Sequence, residues 1–171
     1  MVLAASMLDD GGATRQVALM ADDPENYMAQ ALKCAEAAAV AGEVPVGAVL
    51  VDSASGAVLA VDHNHVEANS DPTAHAEMQV IREAAAQHGK KWLAECDLYV
   101  TLEPCPMCAA AISLARIRRL VFGAYDPKSG GVEHGPRIFE QATCHHKPDV
   151  IGGVNETESG ALLKDFFQAK R

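Results

Sequence analysis

Basic residues are in short supply in this chain. Fourteen lysines and arginines stand against 23 aspartates and glutamates, a formal charge of −9 over 171 residues. That balance excludes a general nucleic-acid coat, whose electrostatic footprint is basic. The deficit is uneven, however. Residues 1–100 hold 15 acids and 5 bases, a net of −10, whereas residues 101–171 hold 8 acids and 9 bases, a net of +1. An anionic partner therefore has to be met by the second part of the chain. No apolar run approaches the roughly 18–20 residues of a membrane span. The apolar start from Met1 to Leu8 has no basic leader and runs into Asp9 and Asp10, which argues against a secretory signal. The expectation is a soluble, cytoplasmic protein. Five cysteines, an odd number, make a poor disulfide framework, and neither an internal repeat nor a low-complexity linker follows residue 23.

What is present reads as one α/β domain. Apolar residues at 49% and charged residues at 22% are ordinary for a globular chain. Residues 1–23 read as an N-terminal extension, with a weak amphipathic stretch over 16–21 as the competing reading, and residues 24–171 as a single domain. Tyr27, Ala31, Cys34, Ala35 and Ala38 recur at helical intervals between Pro24 and Ala41, with Gly42 to end the helix. The continuous apolar run 45–51 predicts a strand buried on both faces, and 57–61 a second strand closing a hairpin. A helix is predicted over 73–88, a strand over 98–102, a helix from Pro106 through Ala115 and a strand over 120–124. A short helix at 138–142, a weak strand at 150–154 and an amphipathic helix at 156–169 complete the order. This pattern predicts a three-layer α/β/α fold with a mixed sheet of about five strands and helices on both faces.

Two segments carry chemistry. Cys105 and Cys108 are three residues apart at the head of a predicted helix, directly after a strand, so both sulfurs can reach one metal ion. His75, heading another helix, can supply a third ligand. A Cys₂His set with a fourth position left for water is a catalytic zinc arrangement, since structural sites are normally closed by four protein ligands. Helix N-termini favour thiolate over thiol. Glu77, two residues beyond His75, can face that water without being a ligand and do general acid–base work. Each piece has a plainer reading. Cys-x-x-Cys after a strand also suits a thioredoxin-like redox pair, and a zinc closed by Cys105, Cys108, Cys144 and either His145 or His146 would be purely structural.

His75-Ala76-Glu77 together with Pro104-Cys105-Pro106-Met107-Cys108 resembles the zinc-dependent cytidine deaminase superfamily, whose signature is His-x-Glu followed by Pro-Cys-x-x-Cys. The likeness extends through Glu43 to Val49, Asn64, Asp71 to Glu77, Tyr99 to Cys105, Val121 to Ala124, and Leu162-Leu163 with Phe166-Phe167. Over residues 24–170 it is similar to the bacterial tRNA-specific adenosine deaminases. The resemblance implies a cytidine-deaminase-like fold and hydrolytic deamination of adenosine to inosine at the first anticodon position, with ammonia released. It implies one zinc per subunit on His75, Cys105 and Cys108, with water or hydroxide as fourth ligand, Glu77 as proton donor and acceptor, and no organic cofactor. It implies a homodimer acting on a tRNA anticodon loop. Asn64 matches the base- or ribose-binding asparagine; Val46, Ala76 and the backbone of Leu102 and Glu103 would line the base pocket, and Asp126, His146 and Phe167 would meet the substrate. The wording departs from the family at His63, where an aromatic residue is usual, at Gly131 to Pro136, and at His145-His146. A deaminase of free guanine, cytosine or a nucleoside, using the same zinc chemistry, is the alternative.

Overall fold

The computed structural model describes residues 24–170; the predicted extension at 1–23, its 16–21 stretch and Arg171 lie outside the described residues. The chain runs α1 (Pro24–Val40), β1 (Gly47–Asp52), β2 (Val58–His63), α2 (Val66–Asn69), α3 (Ala76–His88), β3 (Cys96–Leu102), α4 (Pro106–Ala115), β4 (Arg119–Ala124), a 3₁₀ turn (Ile138–Glu140), β5 (Asp149–Ile151) and α5 (Glu156–Ala169). The five strands form one mixed sheet in the order β2-β1-β3-β4-β5. β1 is antiparallel to both neighbours, and β3, β4 and β5 are mutually parallel.

The unbroken apolar strands have the expected cause. Ala48 and Leu50, Leu98 and Val100, and Leu120 and Phe122 face α3 and α4 in one core. The intervening Val49, Val51, Tyr99 and Val121 face Tyr27, Met28 and Ala31 of α1 in another. Alternate side chains point to opposite faces of a strand, so a sheet covered on both sides has no polar register to spare. α5 packs on the α1 side, against β4 and β3. The three-layer α/β/α arrangement is thus the one the sequence predicts.

The alanines of α1 serve close approach. Ala31, Ala35 and Ala38 are fully buried, and a Cβ placed on Gly47 would collide with the Ala31 carbonyl oxygen, the Ala35 amide nitrogen and the Cys34 Cβ. The obstacles include main-chain atoms that cannot turn aside. Gly47→Ala is accordingly expected to destabilise the fold by about 1–3 kcal/mol, read as a lowered Tm.

The boundaries differ from expectation where tertiary contacts intervene. α3 starts at Ala76, three residues later than predicted, because Asp71 Oδ1 accepts bonds from both the amide and the hydroxyl of Thr73 at 2.8 Å, tying 71–73 into a turn. β3 starts earlier, at Cys96, paired to Asp52. The predicted 138–142 helix is only a 3₁₀ turn. The last strand is Asp149–Ile151, ending before Gly152, where any Cβ would strike the Phe122 ring and the Tyr125 hydroxyl. The four-residue α2 is too short for periodicity to reveal.

Candidate metal centre and substrate cavity

The candidate residues gather beyond the C-terminal end of the central strand β3. β3 ends at Leu102, and Pro104-Cys105 leads into α4, with Cys105 in extended geometry (φ −66°, ψ 169°) as its cap. His75 plays the same part for α3 (φ −75°, ψ 153°). Both side chains are thereby turned off the helix axes and toward each other. His75 Nδ1 lies 3.7 Å from Cys105 Sγ and 3.5 Å from Cys108 Sγ. A tetrahedral zinc at about 2.3 Å from sulfur and 2.0 Å from nitrogen implies sulfur–nitrogen edges of about 3.5 Å, so the three residues fit the ion as they stand. Cys108 is fully buried, whereas His75 and Cys105 are half-buried at the cavity wall.

The electrostatics fit a cation. Hydrogen bonding from Cys108, ahead of that from His75 and against the effect of burial, holds the Cys105 thiol down at about 4. The same sharing with Cys105, together with burial, pushes Cys108 upward, and bonding to Cys105 raises His75 despite its burial. The three groups converge on one point and compete for protons there. Those are the protons a metal ion displaces when it binds thiolates and neutral imidazole.

In front of the cluster lies a cavity of about 260 Å³ lined by His75, Glu77 and Cys105 and by Val46, Asn64, Leu102, Glu103 and Asp126. That is just below the usual size of ligand pockets, roughly 300–1,000 Å³. Glu77 is buried, and that burial raises its pKa above the usual carboxylate range. Asn64 is buried too; its Oδ1 accepts the Ala76 amide at 2.9 Å, capping α3 from twelve residues away and leaving the amide NH₂ for the cavity. Ala76 itself is fully buried and contributes that amide rather than a wall.

Glu103 lines the cavity as expected, whereas His146 and Phe167 do not. The Glu103 carboxylate is committed to the protein. Its Oε1 accepts the amides of Val132, Glu133 and His134 at 2.8–3.2 Å, and its Oε2 accepts the Asp126 amide at 3.0 Å and His134 Nδ1 at 2.7 Å. It borders the cavity as the organiser of the 126–134 loop. His146 lies outside the cavity: its Nε2 is 2.7 Å from the Ile117 carbonyl, and its main chain bonds Ser113. The ring therefore ties the 144–148 segment to the end of α4. Phe167 is 48% exposed on α5, edge-on to Phe166 and likewise outside the cavity. Asp126 does line the cavity, while its Oδ1 also accepts the Lys128 and Ser129 amides.

Glu43 is the residue that sequence reasoning missed. It lines the cavity, is almost wholly buried, and its Oε1 accepts the Ala68 amide at 2.8 Å across the start of α2. Its membership of the Glu43–Val49 segment was visible, but nothing local marks a glutamate as buried. Burial raises its pKa, yet bonds from the Ala68, Glu67 and Val66 amides prevail and hold it below the ordinary 4.5. A carboxylate depressed on folding contributes stability that is complete above its unfolded value and is lost as the pH falls through the folded one. Glu43→Gln should lower stability at neutral pH and flatten its decline below pH 4.5, measured by denaturant unfolding at a series of pH values.

Residues 21–124 match the cytidine and deoxycytidylate deaminase zinc-binding region, so the sheet and its His/Cys/Cys cluster are those of a zinc-binding deaminase domain. Over 146 residues the chain is 54% identical to a tRNA-specific adenosine deaminase of Agrobacterium fabrum, covering 85% of this chain and 95% of that one. It is 45% identical over 147 residues to a tRNA-specific adenosine deaminase of Bacillus subtilis, covering 86% and 90%. A structure solved in a study of A-to-I editing by tRNA:A34 deaminases at the wobble position of transfer RNA superposes with a TM-score of 0.78 at 54% identity, over 81% of this chain and 99% of that one. A guanine deaminase structure from Nitrosomonas europaea, with a TM-score of 0.73 at 21% identity over 94% and 98% of the two chains, shares the fold. The chain belongs to the tRNA-specific adenosine deaminases, within the cytidine and deoxycytidylate deaminase family.

Proposed function

We propose that this protein converts adenosine to inosine at the wobble position of a tRNA anticodon, adding water at C6 of adenine and releasing ammonia. The observation that carries the reading is the gathering of His75, Glu77, Cys105 and Asn64 around one cavity, in a chain with a 54% identical tRNA-specific adenosine deaminase as relative. His75, Cys105 and Cys108 would hold one zinc ion per chain. When bound, zinc lowers the pKa of water toward about 7 and so supplies a nucleophile at neutral pH. Glu77 would accept the first proton of the attacking water and deliver it to the adenine ring nitrogen next to C6. It would then take the proton of the new C6 hydroxyl and hand it to the amine as the C6–N6 bond breaks, leaving a C6 carbonyl and ammonia. Val46 and Leu102 supply apolar walls for the flipped base, and the Asn64 NH₂ donates to base or ribose.

The target base has to leave its stack to enter a cavity this size, which costs least in a single-stranded loop. Basic residues for phosphate contact, among them Lys128 and Lys147, belong to residues 101–171, the part of the chain that escapes the acidity. Residues 24–171 act as one deaminase domain. The exposed Leu114 of α4 supports a homodimer through that helix. Among the described residues no helix is long and apolar enough to cross a membrane, in keeping with a cytoplasmic enzyme. Inosine and ammonia should appear when the protein is incubated with an anticodon stem-loop carrying a wobble adenosine, and not with free guanine, cytosine or adenosine. Turnover of free bases alone would overturn the tRNA reading.

A further inference from the structure

A second group of metal-ligating side chains stands apart from the His75 cluster. β2 is an edge strand of the sheet. At its end Asp62, His63 and His65 bring a carboxylate oxygen and one nitrogen of each ring to within 4.8 Å of one another. The two imidazoles are stacked, with centroids 4.4 Å apart and planes inclined by 19°. His65 Nε2 is 2.7 Å from Asp62 Oδ1, and His63 Nδ1 is held 2.7 Å from the main-chain oxygen of Asn64. All three side chains are part-exposed, so solvent ligands can complete a coordination shell.

We propose that Asp62, His63 and His65 form a second metal site, for a borderline divalent transition ion of the Zn(II) class. The ion takes the place of the hydrogen bond between His65 and Asp62. A set of two imidazoles and one carboxylate suits Zn(II), Ni(II) or Cu(II). It does not suit Mg(II) or Ca(II), which require mostly oxygen donors. The carbonyl bond to His63 is the kind of outer contact that fixes a ligating ring in place. The site has a consequence for the cavity, because Asn64 lies between the two histidines. An ion bound there stiffens the 62–65 segment that aims Asn64, and it adds positive charge to residues 1–100, whose formal charge is −10.

The test is metal stoichiometry on the full-length protein, which does not depend on what the enzyme deaminates. Equilibrium dialysis against Zn(II), with metal and protein both quantified, should give one more equivalent for the wild type than for the double variant His63→Ala/His65→Ala. Asp62→Asn should retain the extra equivalent with affinity weakened by more than about tenfold. Co(II) substitution provides the second readout. The extra ion should contribute visible bands without thiolate-to-metal charge transfer, and those bands alone should vanish in the double variant. Because the difference is taken between proteins that both keep His75, Cys105 and Cys108, loss of thiolate-bound cobalt would report damage at the other site. Equal zinc equivalents in wild type and a folded double variant would overturn the proposal.

Discussion

Glu77→Gln should lower turnover of a wobble-adenosine stem-loop by about 10²–10⁴-fold while zinc content stays at the wild-type level. Glutamine keeps the shape and polarity of the side chain but can neither accept nor deliver the proton that the reaction moves. Glu77 lines the cavity beside His75 and Cys105 and is nine-tenths or more buried, so bulk water is a poor substitute for it. Because the substitution leaves His75, Cys105 and Cys108 untouched, the metal should be retained, which separates a proton carrier from a fourth ligand. Single-turnover rates and zinc analysis on the same preparation make the measurement. Wild-type turnover in the variant, or loss of zinc with it, would overturn the assignment.

The second large effect is structural. Glu103→Ala is expected to cost about 3–5 kcal/mol, the range for breaking a buried, bonded charge, and to release the loop that closes one side of the cavity. Four main-chain amides and the His134 ring converge on this carboxylate, and Gly130 packs so close that a Cβ would overlap the carboxylate. Removing the carboxylate strands donors in a place water reaches poorly. The expected readout is a lowered denaturation midpoint together with faster amide hydrogen exchange for Val132, Glu133 and His134. A variant of wild-type stability with those amides still protected would refute the role. The bonds from the Asp126 and His134 amides, with the His134 ring, outweigh burial and keep Glu103 below the usual carboxylate range. Its contribution is therefore complete at neutral pH and disappears as the solution is acidified through the folded value.

Much of this protein was legible without coordinates, for reasons tied to particular residues. Strand burial showed in unbroken valine-rich runs, since a strand covered on both faces leaves no alternation. The helix α1 showed in its alanine period, and the candidate metal cluster in a three-residue cysteine spacing after a strand. What stayed illegible was non-local. Asn64 caps α3 across twelve residues, and His146 faces Ile117 rather than the cavity. Neither is encoded in any window that a periodicity argument inspects.

The carboxylates make the division plain. Sequence by itself determined the α/β/α class, the order of elements, the cluster of His75, Cys105 and Cys108, and the place of Glu77 beside it. These follow from hydrophobic period and ligand spacing, which are local properties. Only the tertiary structure decided which of the acids bordering the cavity hold the frame. Glu43, Glu77 and Glu103 are all nearly buried and all border one cavity, but main-chain amides claim Glu43 and Glu103. Glu77, whose pKa burial drives upward, is the one proposed for proton transfer. That difference depends on which distant amides the fold carries to each carboxylate, and a linear sequence does not contain those distances.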